Sequence, residues 1–197
     1  MLIAVLAVAL LALAEVMLMP ALAAAAAQQA RAEALNLLTA AVAEQMADCG
    51  GADDYQQLIQ VERDRQGHIT LMVTDTLLLN SLLSAIVLAA NEKLSALTEQ
   101  RISVPLGVAL GHGALSGLGP DLPFRCVLRA APTVTVADRF ESAGVNQTRH
   151  SIYLELSAEI LLIAPLATQP VTVSTTVLLA EGIIVGDTPE TYVEISR

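Results

Sequence analysis

The longest apolar run in the chain lies at its front. Met1–Met19 carries a single charge, Glu15, and an alanine-rich tract extends the run to Ala27. About 20 apolar residues at ~1.5 Å rise cross the ~30 Å hydrocarbon core of a bilayer, so residues 1–27 read as a transmembrane anchor or signal-like segment. The A-x-A spacing of Ala21, Ala23, Ala25 and Ala27 leaves a cleaved secretory signal open, and the length of the run favours an uncleaved anchor. Arg31 is the nearest basic residue, so charge says little about orientation. A long domain behind a signal-like start is expected to be translocated.

After the anchor the periodicity turns helical. Arg31, Leu35, Leu38, Val42 and Met46 repeat at i+3/i+4 spacing up to Gly50-Gly51, predicting a connecting helix within 28–52. Leu58–Arg63 and His68–Thr74 flank the polar turn Asp64-Arg65-Gln66-Gly67 and predict a β-hairpin. Thr74-Asp75 supplies an N-cap for a long helix over 76–98. That helix is apolar on most of its girth (Leu78, Leu79, Leu82, Leu83, Ile86, Val87, Leu88, Leu94), as a helix buried on several sides should be. A second membrane span is the rival, interrupted by Asn80, Ser81, Ser84 and Asn91.

Beyond Arg101 the period drops to two. Ile102–Val108 contains Pro105 and reads as an edge or irregular strand. A glycine-rich loop follows from Gly107 to Pro120, without the spacing of a dinucleotide-binding or phosphate-binding loop. Three long strands are then predicted, at Phe124–Arg139, His150–Ala164 and Val171–Ala180. In the second, Ile152, Leu154, Leu156, Ala158, Ile160 and Leu162 alternate with Tyr153, Glu155, Ser157 and Glu159. One polar face calls for an antiparallel sheet with one wet side and a helix over the other. Short strands at Gly182–Val185 and Tyr192–Ile195, around the turn at Asp187-Thr188-Pro189-Glu190, complete the pattern. The expected architecture is α+β: an anchor, a connecting helix, then residues 53–197 as one domain. Its antiparallel sheet of five or six strands is covered on one face by the helix at 76–98.

Composition narrows the function. Hydrophobic residues make up 54% of the 197 and charged residues 15%, which excludes a disordered chain. A formal charge of −10 opposes nucleic-acid binding and adhesion to anionic lipid. Cys49 and Cys126 belong to no C-x-x-C pair and are expected to be idle thiols. His68, His112 and His150 lack metal-site spacing, so neither a metal nor a cofactor is expected. The densest polar cluster is Phe140–His150. Within it Glu141, Ser142, Asn146, Gln147, Thr148, Arg149 and His150 form the expected interaction surface, in a loop between two strands. A general acid–base pair of Glu141 and His150 is the enzymatic alternative. A lipid- or small-molecule-binding module between helix and sheet is another.

The same block carries a resemblance. FESAGVNQTRHSIYLEL (Phe140–Leu156), ISVPLG (Ile102–Gly107), LGP (Leu118–Pro120) and EGIIVGDTPETYVEI (Glu181–Ile195) resemble the sporulation protein YunB family of endospore-forming bacteria. The likeness runs from about Ala30 onward, with E-S-A-G-x-N-Q-T-R-H as its most specific part. It implies a role in spore formation, expression in the mother cell and a hydrophobic N-terminal segment. It transfers no reaction, ligand or catalytic residue. The resulting expectation is a single-pass membrane protein of the forespore-surrounding membranes. It is non-enzymatic and acts through contacts with a sporulation protein partner, with self-association left open.

Overall fold

The computed structural model describes residues 2–48, 58–66, 69–98, 101–110, 116–144, 146–164 and 168–185. Cys49, the Gly50-Gly51 stop, Gly67, His68, His112, the turn at 187–190 and the strand expected at Tyr192–Ile195 lie outside them. Helix α1 (Leu2–Asp48) is followed by a hairpin, β1 (Ile59–Arg63) and β2 (Ile69–Thr74), and by helix α2 (Thr76–Leu97). Then come β3 (Arg101–Pro105), a 3-10 turn (Leu106–Leu110), β4 (Asp121–Leu128), β5 (Thr133–Gly144), β6 (Gln147–Ile163) and β7 (Thr168–Val185). The fold is α+β, with β3 to β7 in one antiparallel sheet and β1–β2 in a separate pair.

The sheet is organised by β6. Along one edge it pairs with β7 over its full length, Gln147↔Val185 to Ile163↔Thr168. Along the other, β5 pairs with residues 147–157 and β4 with 160–163, and β3 lies outside β4. The single strand expected at Phe124–Arg139 is thus two strands in line along one edge of β6. They are separated by Arg129–Pro132, four residues set against Ala158 and Glu159 alone. Pro132, with no N–H to offer a ladder, sits at that break. The strands expected at Val171–Ala180 and Gly182–Val185 are, conversely, one. Leu179 is bulged between Tyr153↔Leu178 and Ile152↔Ala180, which reverses the facing of every residue after it.

The alternation expected for β6 is observed. Ile152, Leu154, Leu156, Ala158, Ile160 and Leu162 are all buried and join Val171, Val173, Phe124, Cys126, Ile102 and Val104 in one core. Two helices cover this face rather than one, with α1 packed on α2, β7, β3 and β6, and α2 on β4 and β5. In α2, Asp75 caps the N-terminus by accepting from the Leu77 and Leu78 amides at 3.1 and 3.0 Å. Its buried stripe is Leu82, Ile86, Ala90, Leu94 and Leu97. By length and composition this helix too is long and apolar enough to cross a membrane, and 22% of that window is buried inside the fold.

The inner face of α1 differs from the one its large side chains predict. Leu22, Ala26, Ala30, Ala34, Leu38, Ala41 and Val42 are buried, whereas Arg31 is exposed and Leu35 and Met46 are half-buried. Four of these seven are alanines, whose short side chains let the backbone approach its neighbours closely. The segment expected to be a connector is therefore part of the core, and Leu18, Met19 and Leu22, inside the span assigned to the anchor, also pack against it. The helix itself is unbroken across Pro20.

Two outcomes follow from this packing. Replacing Ala34 by Leu overpacks the α1 face and lowers stability by about 1–3 kcal/mol, while Ala32→Leu on the exposed face is close to neutral; denaturant titration of the two variants separates them. Cys126 is buried, and desolvation raises its thiol pKa. It therefore stays unalkylated by iodoacetamide at pH 8 until denaturant is added, as peptide mapping would read out.

Candidate functional site

β5, β6 and β7 run past the helical cover. Beyond Ile152 and Ala180, residues on both faces of the three strands are exposed or half-buried, with His150 and Ser151 the buried exceptions among the described residues. The result is a three-stranded arm with two wet faces. Its end is a tight hairpin: Glu141 pairs with Arg149, Ser142 with Thr148 and Gly144 with Gln147. Asn146 has φ +56° and Gly144 φ +145°, conformations that suit asparagine and glycine. The loop expected across Phe140–His150 is thus mostly ladder, paired as far as Gly144 and Gln147.

This register sorts the expected residues onto opposite faces, because side chains alternate along a strand. Glu141, Gln147 and Arg149 face outward. Ser142, Thr148 and His150 face the side that, further along, carries the core. Asn146 sits in the turn. Glu141 and His150 are consequently on opposite sides of the sheet, and the acid–base pair expected of them is not assembled.

Each face has its own chemistry. On the core side the His150 imidazole is 4% exposed although the strand has left the helices behind. Its cover is Phe140, directly opposite on β5, whose ring stacks on it at 4.2 Å between centroids and 6° between planes. The Asp138 Oδ1 lies 3.7 Å from Nε2, a separation longer than a hydrogen bond. Phe140 itself remains 60% exposed. On the outer side the Arg139 guanidinium lies 5.1 Å above the Tyr153 ring and 3.8 Å from the Glu141 carboxylate. Buried Ser151 donates to Glu181 Oε2 on β7 at 3.1 Å. Ile183 and Val185, opposite Arg149 and Gln147, are exposed apolar residues on this face.

The arm thus offers apolar surface (Phe140, Ile183, Val185) among charges of both signs. No group of three metal-ligating side chains exists among the described residues. The sequence reading named the tip but gave no role to Phe140, Asp138, Arg139, Tyr153, Ser151 or Glu181. Counting alternation outward from the Gly144–Asn146 reversal would have separated the faces; the partners on β7 needed the bulge as well. Two concavities lie away from the arm. One of about 500 Å3 is formed by Glu44 and Gln45 of α1 against Ala85–Ala96 of α2, and another of about 280 Å3 is on the outer sheet face at Thr135, Glu155 and Thr176.

Comparison with known proteins bears on the same region. The family model described as sporulation protein YunB matches residues 101–191, which take in the whole five-stranded sheet. The sporulation protein YunB of Bacillus subtilis (strain 168) is 21% identical over 151 residues, covering 72% of this chain. The match spans 59% of that relative's length. No solved structure matches.

Removing the Phe140 ring exposes His150. Phe140→Ala is expected to cost about 0.5–1.5 kcal/mol beyond lost area. It should also speed modification of His150 by diethyl pyrocarbonate, measured by thermal unfolding and mass spectrometry of the labelled peptide.

Proposed function

We propose that this chain, a member of the sporulation protein YunB family by its match over residues 101–191, is a membrane-anchored, non-enzymatic component of endospore formation. The arm of β5, β6 and β7 docks a protein partner. The observation that carries this reading is the arm itself, a sheet end wet on both faces that displays Phe140 on the core side and, on the outer side, Ile183 and Val185 among Arg139, Glu141, Arg149 and Glu181. An exposed aromatic on one face, and exposed apolar residues beside arginine on the other, are the residue types of partner-binding centres rather than of solvated sheet. The absence of a shared face for Glu141 and His150 removes the specific support for the hydrolase alternative.

The anchor is the apolar start of α1, which overlaps the residues packed on the domain at Leu18 and Met19. Residues 2–21 span about 30 Å at ~1.5 Å per residue, enough for the hydrocarbon core. The same helix continues into the domain, so the anchor is joined to the fold without an intervening loop. The domain is expected on the extracytoplasmic side, at the membranes that surround the forespore.

The full chain, expressed in sporulating cells, is expected in the membrane fraction and resistant to carbonate extraction. Mild crosslinking and mass spectrometry should recover a partner with it. Phe140→Ser combined with Ile183→Ser should cut that recovery about tenfold and impair sporulation while leaving circular dichroism unchanged. An unaltered set of co-purifying proteins in that variant sinks the arm as a docking surface. Full-length protein found free in the soluble fraction sinks the anchor.

A further inference from the structure

β7 is 18 residues long and pairs with β6 on one edge only; among the described residues no strand occupies the other. A long free edge is a template for another strand, and proteins usually guard it with charge, proline or a bulge. Here the guards stand at two points: Pro170, which lacks an N–H, and the bulge at Leu179. Between them Val171–Val177 reads VTVSTTV, without a charge and, Ser174 apart, β-branched throughout. The segment is close to a palindrome about Ser174. Read outward from that residue, Val173 answers Thr175, Thr172 answers Thr176 and Val171 answers Val177.

We propose that Val171–Val177 pairs antiparallel with the same segment of a second copy about a two-fold axis at Ser174, joining the two sheets into one. Directly opposed residues in an antiparallel pair share a face. Thr172 therefore meets Thr176 of the partner subunit, and Ser174 meets Ser174 of the partner subunit, on the outer polar face. Val171 meets Val177 of the partner subunit on the helix-covered face. Polar opposes polar and apolar opposes apolar except where Val173 meets Thr175 of the partner subunit, and the pairing reads the same from either copy, as a two-fold interface demands. An uncharged edge offers a foreign strand no charge pattern by which to be selected, whereas a second copy is matched at every position but the Val173–Thr175 contact. This interface goes beyond the arm and does not depend on it.

The test uses the purified full-length chain in mild detergent, over a concentration series. Ser174→Cys places two thiols on the axis, at Cα separations of about 4.5–5.5 Å that a disulfide or a short bismaleimide bridges. Thr135→Cys, on the same outer face but across β6 from the edge, is the control, and the unaltered chain gives the background from Cys49 and Cys126. The expected result is a covalent dimer in Ser174→Cys well above both controls. Light scattering should show a mass that doubles with concentration. Ser174→Lys sets like charges on the axis at an exposed position; it should weaken association about tenfold or more, with circular dichroism unchanged. Crosslinking of Ser174→Cys at background level overturns the proposal, as does a dimer that survives Ser174→Lys undiminished.

Discussion

The structure rests on burying one face of β6. That strand has ladder partners on both edges, and its apolar positions from Ile152 to Leu162 form the line against which the helices and the other strands pack. Fully burying a Leu or Ile side chain contributes about 1.5–3 kcal/mol, so five such residues on one strand outweigh any surface charge contact. The ion pairs Lys93–Glu44 between the helices and Arg129–Glu159 across the sheet are partly exposed, and pairs of that kind contribute about 0–1 kcal/mol each. Burial therefore sets the fold, and charge decorates it.

How that face is covered explains the odd composition of α1. A leucine-rich helix would stand farther from the sheet, whereas the stripe of Ala26, Ala30, Ala34 and Ala41 lets the helix settle close to β7 and α2. Beside Leu22, Leu38 and Val42 of α1, the bulky contributions come from α2 and the strands. One helix thus carries two chemistries in succession: large aliphatic residues over its first turns, suited to lipid, and small ones where protein must come close. No boundary in the helix itself marks the change, because both compositions are good helix formers.

The arm follows from a mismatch of lengths. β6 and β7 are 17 and 18 residues long and outreach the helical layer, so alternation continues where cover has stopped. His150 still occupies a core-facing position there, and its strand partner Phe140 shields it with a stacked ring. The same geometry leaves Phe140, Ile183 and Val185 exposed, which links the packing of the core to the surface available for recognition.

Period-two alternation was enough, from the sequence, to place β6, its buried face and the polar face opposite; the Asp75 cap and the extent of α2 were equally legible. These are local properties, written within a few residues of where they act. The stripe on α1 was not legible, since alanine gives a hydrophobic reading almost no contrast and only its neighbours show which alanines are buried. Nor was the facing of β7, where a bulge at Leu179 inverts alternation without a local signature. The expected site residues were found as a cluster in sequence, but the register that sends Glu141 and His150 to opposite faces comes from strand pairing. Pairing joins residues distant along the chain, so the tertiary structure alone could decide it.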